Sequence, residues 1–234
     1  MKGLGAALTV IAWSMVAVGD GAKSVESFDL VTLEGTTPVD VVRVPTEYRG
    51  RRGLLVRVSP DHEKCPGSED GNCTFLNVAT QSFRDGVIEL ELAGKPTDGA
   101  PEWARGFVGV VFRVNVDHTR FEGMYLRPTN SRADDQLQRN HTTQYFSYPD
   151  YPWHRLRKES PGKYESWADM ETGEWIDVRI EVEGVRARLF LNGNDNPVLV
   201  VNDLKLGAEA SGTVGLFTEP ATDAYFRNLR ITHH

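Results

Sequence analysis

The stretch Trp175-Ile176-Asp177-Val178-Arg179-Ile180-Glu181-Val182-Glu183-Gly184-Val185-Arg186-Ala187-Arg188-Leu189-Phe190-Leu191 decides the fold. Ile176, Val178, Ile180 and Val182 alternate with Asp177, Arg179, Glu181 and Glu183, so an extended chain separates branched apolar side chains from charged ones. Such a strand buries one face and turns the other to water or a groove. Glu183-Gly184 then makes a tight turn into the run from Arg186 to Leu191, and the pair reads as a hairpin. The same period occurs upstream, where Ile88, Leu90 and Leu92 alternate with Val87, Glu89 and Glu91. Short β-branched and aromatic runs separated by Gly, Pro, Asn and Asp predict strands at 39–44, 54–58, 74–79, 86–92, 107–116 and 121–127. Others are expected at 142–146, 175–182, 186–191, 198–201, 213–217 and 224–231. No long helical stripe, repeat or low-complexity tract interrupts them, which points to an all-β, two-sheet antiparallel sandwich.

A chain of 234 residues suits one large all-β domain around a single core. Its 40% hydrophobic and 25% charged residues are an ordinary globular mixture. The net charge of -7 repels phosphates, and no dense Lys/Arg stripe overrides it, so nucleic acid is excluded as a partner. The short basic stretches at Arg49 to Arg52 and His154 to Lys158 read as solvated loop charge.

Residues 1–19 read as an export signal: Lys2 gives the positive start, 4–18 the apolar core and Ala17-Val18-Gly19 the cleavage site. Residues 20–234 are then a single sandwich domain, secreted or periplasmic, with no stable membrane span after cleavage because no second apolar run of about 20 residues follows. In that oxidising setting Cys65 and Cys73, which bracket a Gly- and Pro-containing loop, are expected to form a disulfide.

An ordered set of motifs occupies 86–231: Gly106-Phe107-Val108-Gly109, Gly123-Met124-Tyr125-Leu126-Arg127, Gly173-Glu174-Trp175 and Leu191-Asn192-Gly193, then Gly212-Thr213-Val214-Gly215-Leu216-Phe217 and Phe226-Arg227-Asn228-Leu229-Arg230-Ile231. This order resembles the concanavalin A-like lectin/glucanase jelly rolls, and among them the family named for 3-keto-disaccharide hydrolase. The resemblance implies a jelly-roll sandwich with a carbohydrate ligand. The family's usual His-Gly pair after the "GL" strand is replaced here by Thr218-Glu219-Pro220. The Glu-x-Asp-x-x-Glu strand of laminarinase-type enzymes is absent, so their retaining mechanism is not implied.

The segment 128–170 does not alternate and is rich in Asn, Gln, His, Tyr, Trp and Pro, which marks a functional excursion. Ligand-binding candidates are Arg113, Arg127, Tyr125, Gln144, Tyr145, Trp153 and Trp167. The guanidinium forks suit hydroxyls or a carboxylate, and flat rings suit the apolar faces of sugars. His141 and His154 are the candidates for proton transfer, with Glu122 and Glu219 as carboxylates. An enzyme is expected to pair one of these histidines with one of these acids at the groove. No metal or cofactor is expected, calcium at Asp223 or Asp29 being the exception considered. The reading is an exported carbohydrate-active protein, with glycan cleavage by His/carboxylate chemistry as the catalytic version. A lectin-like binding module and a surface adhesion domain are the alternatives, and the oligomeric state is open.

Overall fold

The computed structural model describes residues 24–62 and 73–234. The expected export signal and Cys65 lie outside the described residues. Among the described residues the elements run β1 (Val25–Phe28), β2 (Thr36–Val39), β3 (Val41–Tyr48), β4 (Arg51–Val58), β5 (Phe75–Phe83), β6 (Gly86–Pro96), β7 (Val108–Val114) and β8 (Phe121–Leu126). A single 3-10 segment (Pro128–Arg132), α1 (Gln136–Asn140), β9 (Thr143–Tyr148), α2 (Trp153–Glu159) and β10 (Glu165–Ser166) make up the excursion. The chain closes with β11 (Ile176–Glu183), β12 (Arg186–Leu191), β13 (Leu199–Val201), β14 (Gly212–Thr218) and β15 (Thr222–His233). No helix among the described residues is long and apolar enough to cross a membrane.

Two antiparallel sheets result, of eight and seven strands among the described residues. The first runs β13-β12-β11-β6-β15-β4-β3 with β1 beside β15, the second β10-β9-β8-β7-β14-β5-β2. The hairpin read from alternation is present, with Glu183 opposite Arg186 and Val178 opposite Leu191. Ile176, Val178, Ile180 and Val182 are buried in the interior cluster, together with Ile88, Leu90 and Leu92 from neighbouring β6. The expected strand at 39–44 is divided instead. Asp40 adopts a φ of 51°, and the chain passes there from β2 in the second sheet to β3 in the first. A backbone reversal at one residue is invisible to apolar periodicity.

The second sheet is buried on both faces, which explains why β7 and β8 do not alternate in polarity. Its inner face carries Val108, Val110, Phe112, Met124 and Leu126 in the interior cluster. Its outer face carries a second cluster with Phe75, Phe121, Tyr125, Phe146 and Phe217. Two motif glycines leave room for these rings against the sheet. A Cβ on Gly123 would stand 2.7 Å from the Phe146 ring, and one on Gly215 would stand 2.7 Å from the Phe75 ring. Either contact would force the aromatic layer off the sheet.

Candidate functional site

The outer face of the second sheet ends in a polar row. Phe75, Phe217, Gly109, Tyr125, Gln144 and Glu165 are successive cross-strand partners from β5 to β10, so the aromatic layer runs directly into Gln144 and Glu165. The excursion folds over that polar end. Asp135 caps α1 by accepting a hydrogen bond from Gln138 N at 2.6 Å, satisfying an otherwise orphaned helix donor. Trp153, His154 and Arg157 come from α2, and β10 delivers Glu165.

Between these elements lies a cleft of about 660 Å³. Trp103, Arg105 and Phe107 line one side. Tyr125, Arg127 and Glu219 come from the sheet end, and Asp135, Leu137, Gln138, His141, Trp153 and Arg157 from the excursion. Arg127 is buried and held on several sides: Nη1 donates to His141 O at 2.9 Å and Nη2 to the Tyr125 hydroxyl at 2.5 Å. The Trp153 ring sits between two cations, with the Arg127 guanidinium carbon 5.8 Å and that of Arg157 4.7 Å from its centroid. Such stacking is favourable because the negative face of the ring attracts cations.

Glu165 joins the two halves of this arrangement. It accepts from Arg157 Nη2 at 2.8 Å and stands 2.7 Å from His141 Nδ1, a close contact out of line for a well-formed hydrogen bond. Burial lowers the His141 pKa below its ordinary value of 6.5; Glu165 works against that shift, while Arg157 and Arg127 reinforce it. The imidazole is therefore neutral at neutral pH and able to accept a proton. Burial pushes the Tyr125 hydroxyl far above its ordinary range, with Arg127 opposing, so this phenol remains protonated.

Of the residues singled out from sequence, Tyr125, Arg127, His141, Trp153 and Glu219 meet in the cleft. Gln144 lies behind it, 3.5 Å from Arg127 Nη2, with its amide donating to the carbonyls of Tyr145 and Tyr164. Trp167 lines an adjoining cavity of about 380 Å³. His154 does not line the cleft; its ring stands edge-on to Trp153 at 5.7 Å. The acid beside His141 is Glu165, where Glu122 or Glu219 was expected.

Arg113, Glu122 and Tyr145 assemble elsewhere, in a sealed network away from the cleft. Arg113 Nη1 stands 3.0 Å from Glu122 Oε1, both side chains fully buried, and Tyr145 donates its hydroxyl proton to the other Glu122 oxygen. Arg113 also donates to the carbonyls of Gly184 at 2.7 Å, Gly207 at 3.0 Å and Arg84 at 3.1 Å. The physical reason is local: Arg113 has a φ of 56°, and β7 and β14 shift register between Thr213 and Gly215. The bulge diverts its side chain from the outer face. The two calcium candidates stand in different settings. Asp223 is bound by Arg57 at 2.6 Å and Lys95 at 2.9 Å, and Asp29 accepts from Val31 N at 3.1 Å.

Sequence reasoning missed Trp103, Arg105, Gln138, Arg157 and Glu165. Arg157 was read as solvated charge because its neighbours are also basic. Glu165 carried a usable signal, since it lies in the excursion between Tyr164 and Trp167.

A family model described as a 3-keto-alpha-glucoside-1,2-lyase-like domain matches residues 23–232. No curated protein matches the chain. Among solved structures, the chain is similar to the carbohydrate binding module CBM66 from Bacillus subtilis at 17% identity and a TM-score of 0.55, covering 84% of this chain and 95% of that one. A protein of unknown function with galectin-like fold from Bacillus subtilis gives 11% identity and a TM-score of 0.55, covering 92% and 97%. A putative glycosyl hydrolase from Parabacteroides distasonis gives 13% and 0.50, covering 89% and 100%. At these identities the likeness is one of fold, the lectin-type jelly roll.

Proposed function

The chain belongs to the 3-keto-alpha-glucoside-1,2-lyase-like family, and from that membership we propose that it is an exported carbohydrate-active protein that cleaves a 3-keto-α-glucoside by elimination. The observation that carries the reading is His141, held by Glu165 at 2.7 Å on the wall of a cleft that also contains Arg127.

A ketone at C3 acidifies the proton on C2. Neutral His141 takes that proton as general base; the electron pair moves into a C1–C2 double bond as the C1–O bond breaks. The imidazolium returns the proton to the departing oxygen, which leaves as an alcohol. Negative charge that develops on the C3 oxygen is stabilised by the positive field of Arg127, which is buried in the wall, where such fields act strongly. Glu165 orients the imidazole and stabilises its charged form. Trp103 and Phe107 offer flat apolar surfaces to the sugar ring.

A second reading, recognition without cleavage, is favoured by one observation. The acid beside His141 is Glu165 rather than Glu122 or Glu219, while aromatic and arginine side chains line the cleft. The two separate on one experiment: mature protein is mixed with a 3-keto-α-glucoside and with the parent α-glucoside, and release of the alcohol is followed. Release from the keto form only, abolished in His141→Ala, is the expected result. Binding of both sugars without release would replace the lyase reading with the lectin-like one, and no binding of either would leave the adhesion alternative. Export belongs to the same proposal and predicts a mature N-terminus at Asp20. The Cys65–Cys73 bridge predicts that native protein has no free thiol.

A further inference from the structure

The wall of the cleft holds a buried hydroxyl. Tyr125 is 1% exposed, and its ring packs against those of Phe107, Phe146 and Phe217, with centroids 6.1, 5.5 and 5.4 Å away. Gly109 on the neighbouring strand admits it there, since a Cβ at that position would stand 2.6 Å from Tyr125 Cβ. With the ring enclosed by aromatic neighbours, the part of Tyr125 that reaches the cleft is its polar end, beside Arg127.

A phenol accepts one hydrogen bond and donates another at the same time. The Tyr125 oxygen accepts from Arg127 Nη2 at 2.5 Å, and a guanidinium has no acceptor, so the hydroxyl proton points elsewhere. Among the described residues Tyr125 makes no hydrogen bond as donor. Neighbouring donors are engaged with protein acceptors. Arg127 Nη1 donates to His141 O at 2.9 Å, the Asn130 amide to the same carbonyl at 3.0 Å, and the Gln138 amide to Asn130 Oδ1 at 3.1 Å. Arg157 is held by Glu165 at 2.8 Å. One planar group therefore grips the backbone of His141 through Nη1 and the phenol through Nη2, which fixes the base and the hydroxyl relative to each other. Burial keeps the proton on the phenol, with Arg127 and Arg157 opposing and Glu219 and Tyr148 assisting. A buried donor aimed before charge appears stabilises that charge without reorganising.

We propose that Tyr125 is a catalytic hydrogen-bond donor whose hydroxyl meets the C3 oxygen of the sugar as negative charge develops there. This rests on the lyase reading and deepens it. As His141 removes the C2 proton, the electron pair moves towards C3, and the C3 oxygen becomes an enolate held by the Tyr125 O–H. When the C1–O bond breaks, the pair forms the C1–C2 double bond and the C3 carbonyl is restored. The phenol keeps its proton throughout, and Arg127 strengthens it as a donor by donating to its oxygen.

The test separates enolate formation from cleavage. A 3-keto-1,5-anhydroglucitol has the ketone and the C2 proton but no leaving group at C1. Exchange of its C2 hydrogen in heavy water, followed by NMR, reads only the step in which charge reaches the C3 oxygen. In Tyr125→Phe, this exchange and the elimination of methyl 3-keto-α-glucoside should both fall about a hundredfold, the usual loss when one such donor is removed. Binding of methyl α-glucoside, which develops no charge at C3, should stay within about twofold. Exchange at the wild-type rate in Tyr125→Phe, or a loss of methyl α-glucoside binding as large as the loss of exchange, overturns the proposal and leaves the lyase reading standing. Wild type that exchanges without eliminating ends the lyase reading, and the exchange still decides Tyr125. Wild type that does neither ends both. Should Tyr125→Phe fail to fold, 3-fluorotyrosine at position 125 keeps the ring and acidifies the hydroxyl; faster exchange then supports the donor, and any other rate overturns it.

Discussion

Two arginine–carboxylate clusters lie against the second sheet, and they have opposite characters. Arg113, Glu122 and Tyr145 form a closed set: Arg113 is fully buried, and the carboxylate and three backbone carbonyls accept from its guanidinium. Arg157, Glu165 and His141, with Arg127 beside them, line a cleft, and their aromatic neighbours Trp153 and Trp103 face it as well. The residue types are nearly the same. What differs is whether every donor has already been used, and a satisfied cluster holds elements together while a partly open one can take a ligand. Arg113 ties β7 to the turn at Gly184 and the loop at Gly207, which brings the two sheets together at that end.

The contrast breaks most sharply at His141. His141→Ala is expected to lower turnover of a 3-keto-α-glucoside by ~10²–10⁴-fold, the usual contribution of a general base, with little change in urea midpoint. His154→Ala, by contrast, should stay within about twofold in the same assay, since its side chain does not line the cleft. A large loss in His154→Ala and none in His141→Ala would reverse the assignment.

Arg113→Met attacks the closed cluster. It strands Glu122 as a buried unpaired charge and should cost ~3–5 kcal/mol in urea unfolding, while the folded fraction keeps its ligand affinity. The double variant Arg113→Met, Glu122→Leu should recover most of that loss, since an apolar pair of similar volume has no stranded charge. If Arg113→Met weakened sugar binding without destabilising the fold, the two clusters would not differ as described.

Arg127→Met should instead appear chiefly in binding, by about 1.5–3 kcal/mol in calorimetry, the range for hydrogen bonds from a charged group. Gly123→Ala should cost about 1–3 kcal/mol of stability in thermal melts, because its new methyl meets the Phe146 ring at 2.7 Å.

The smallest effect is on pH. His141 has a folded-state pKa below 6.5, so the unfolded chain binds its proton more readily and stability rises with pH through this window. Its contribution is fully present above about pH 6.5 and is lost as pH falls through the lower, folded value. Turnover should follow the same limb, flat through neutrality and falling on the acid side, and the limb should vanish from stability curves of His141→Ala. Asp203 gives a separate acid limb. Burial alone would raise its carboxyl, but hydrogen bonds from Lys163, Tyr164 and Lys205 outweigh burial and bring it to about 2, against 3.8 in a free chain. Its stabilisation is therefore lost as pH falls from about 4 towards 2.

How much of this was legible beforehand varies with the physics. The β11–β12 hairpin followed from alternation, because a period of two in apolar residues leaves an antiparallel strand only one way to bury itself. The break at Asp40 and the bulge at Arg113 did not, since both turn on a single positive φ in a residue that is not glycine. Within the excursion, composition pointed to the right region. It could not tell Trp153 in the cleft from His154 beside it, because adjacent residues on a helix point about 100° apart.

By itself, then, the sequence determined a two-sheet antiparallel sandwich and the segment that supplies most of the cleft, since both are set by local periodicity and by its interruption. Only the tertiary structure decided which arginine is sealed and which is available. Arg113 and Arg127 look alike along the chain, and their fates depend on carbonyls at Gly184 and Gly207 in one case and on Tyr125, His141 and Trp153 in the other. Those partners come from distant segments, and packing, not proximity in sequence, brings them within hydrogen-bonding reach.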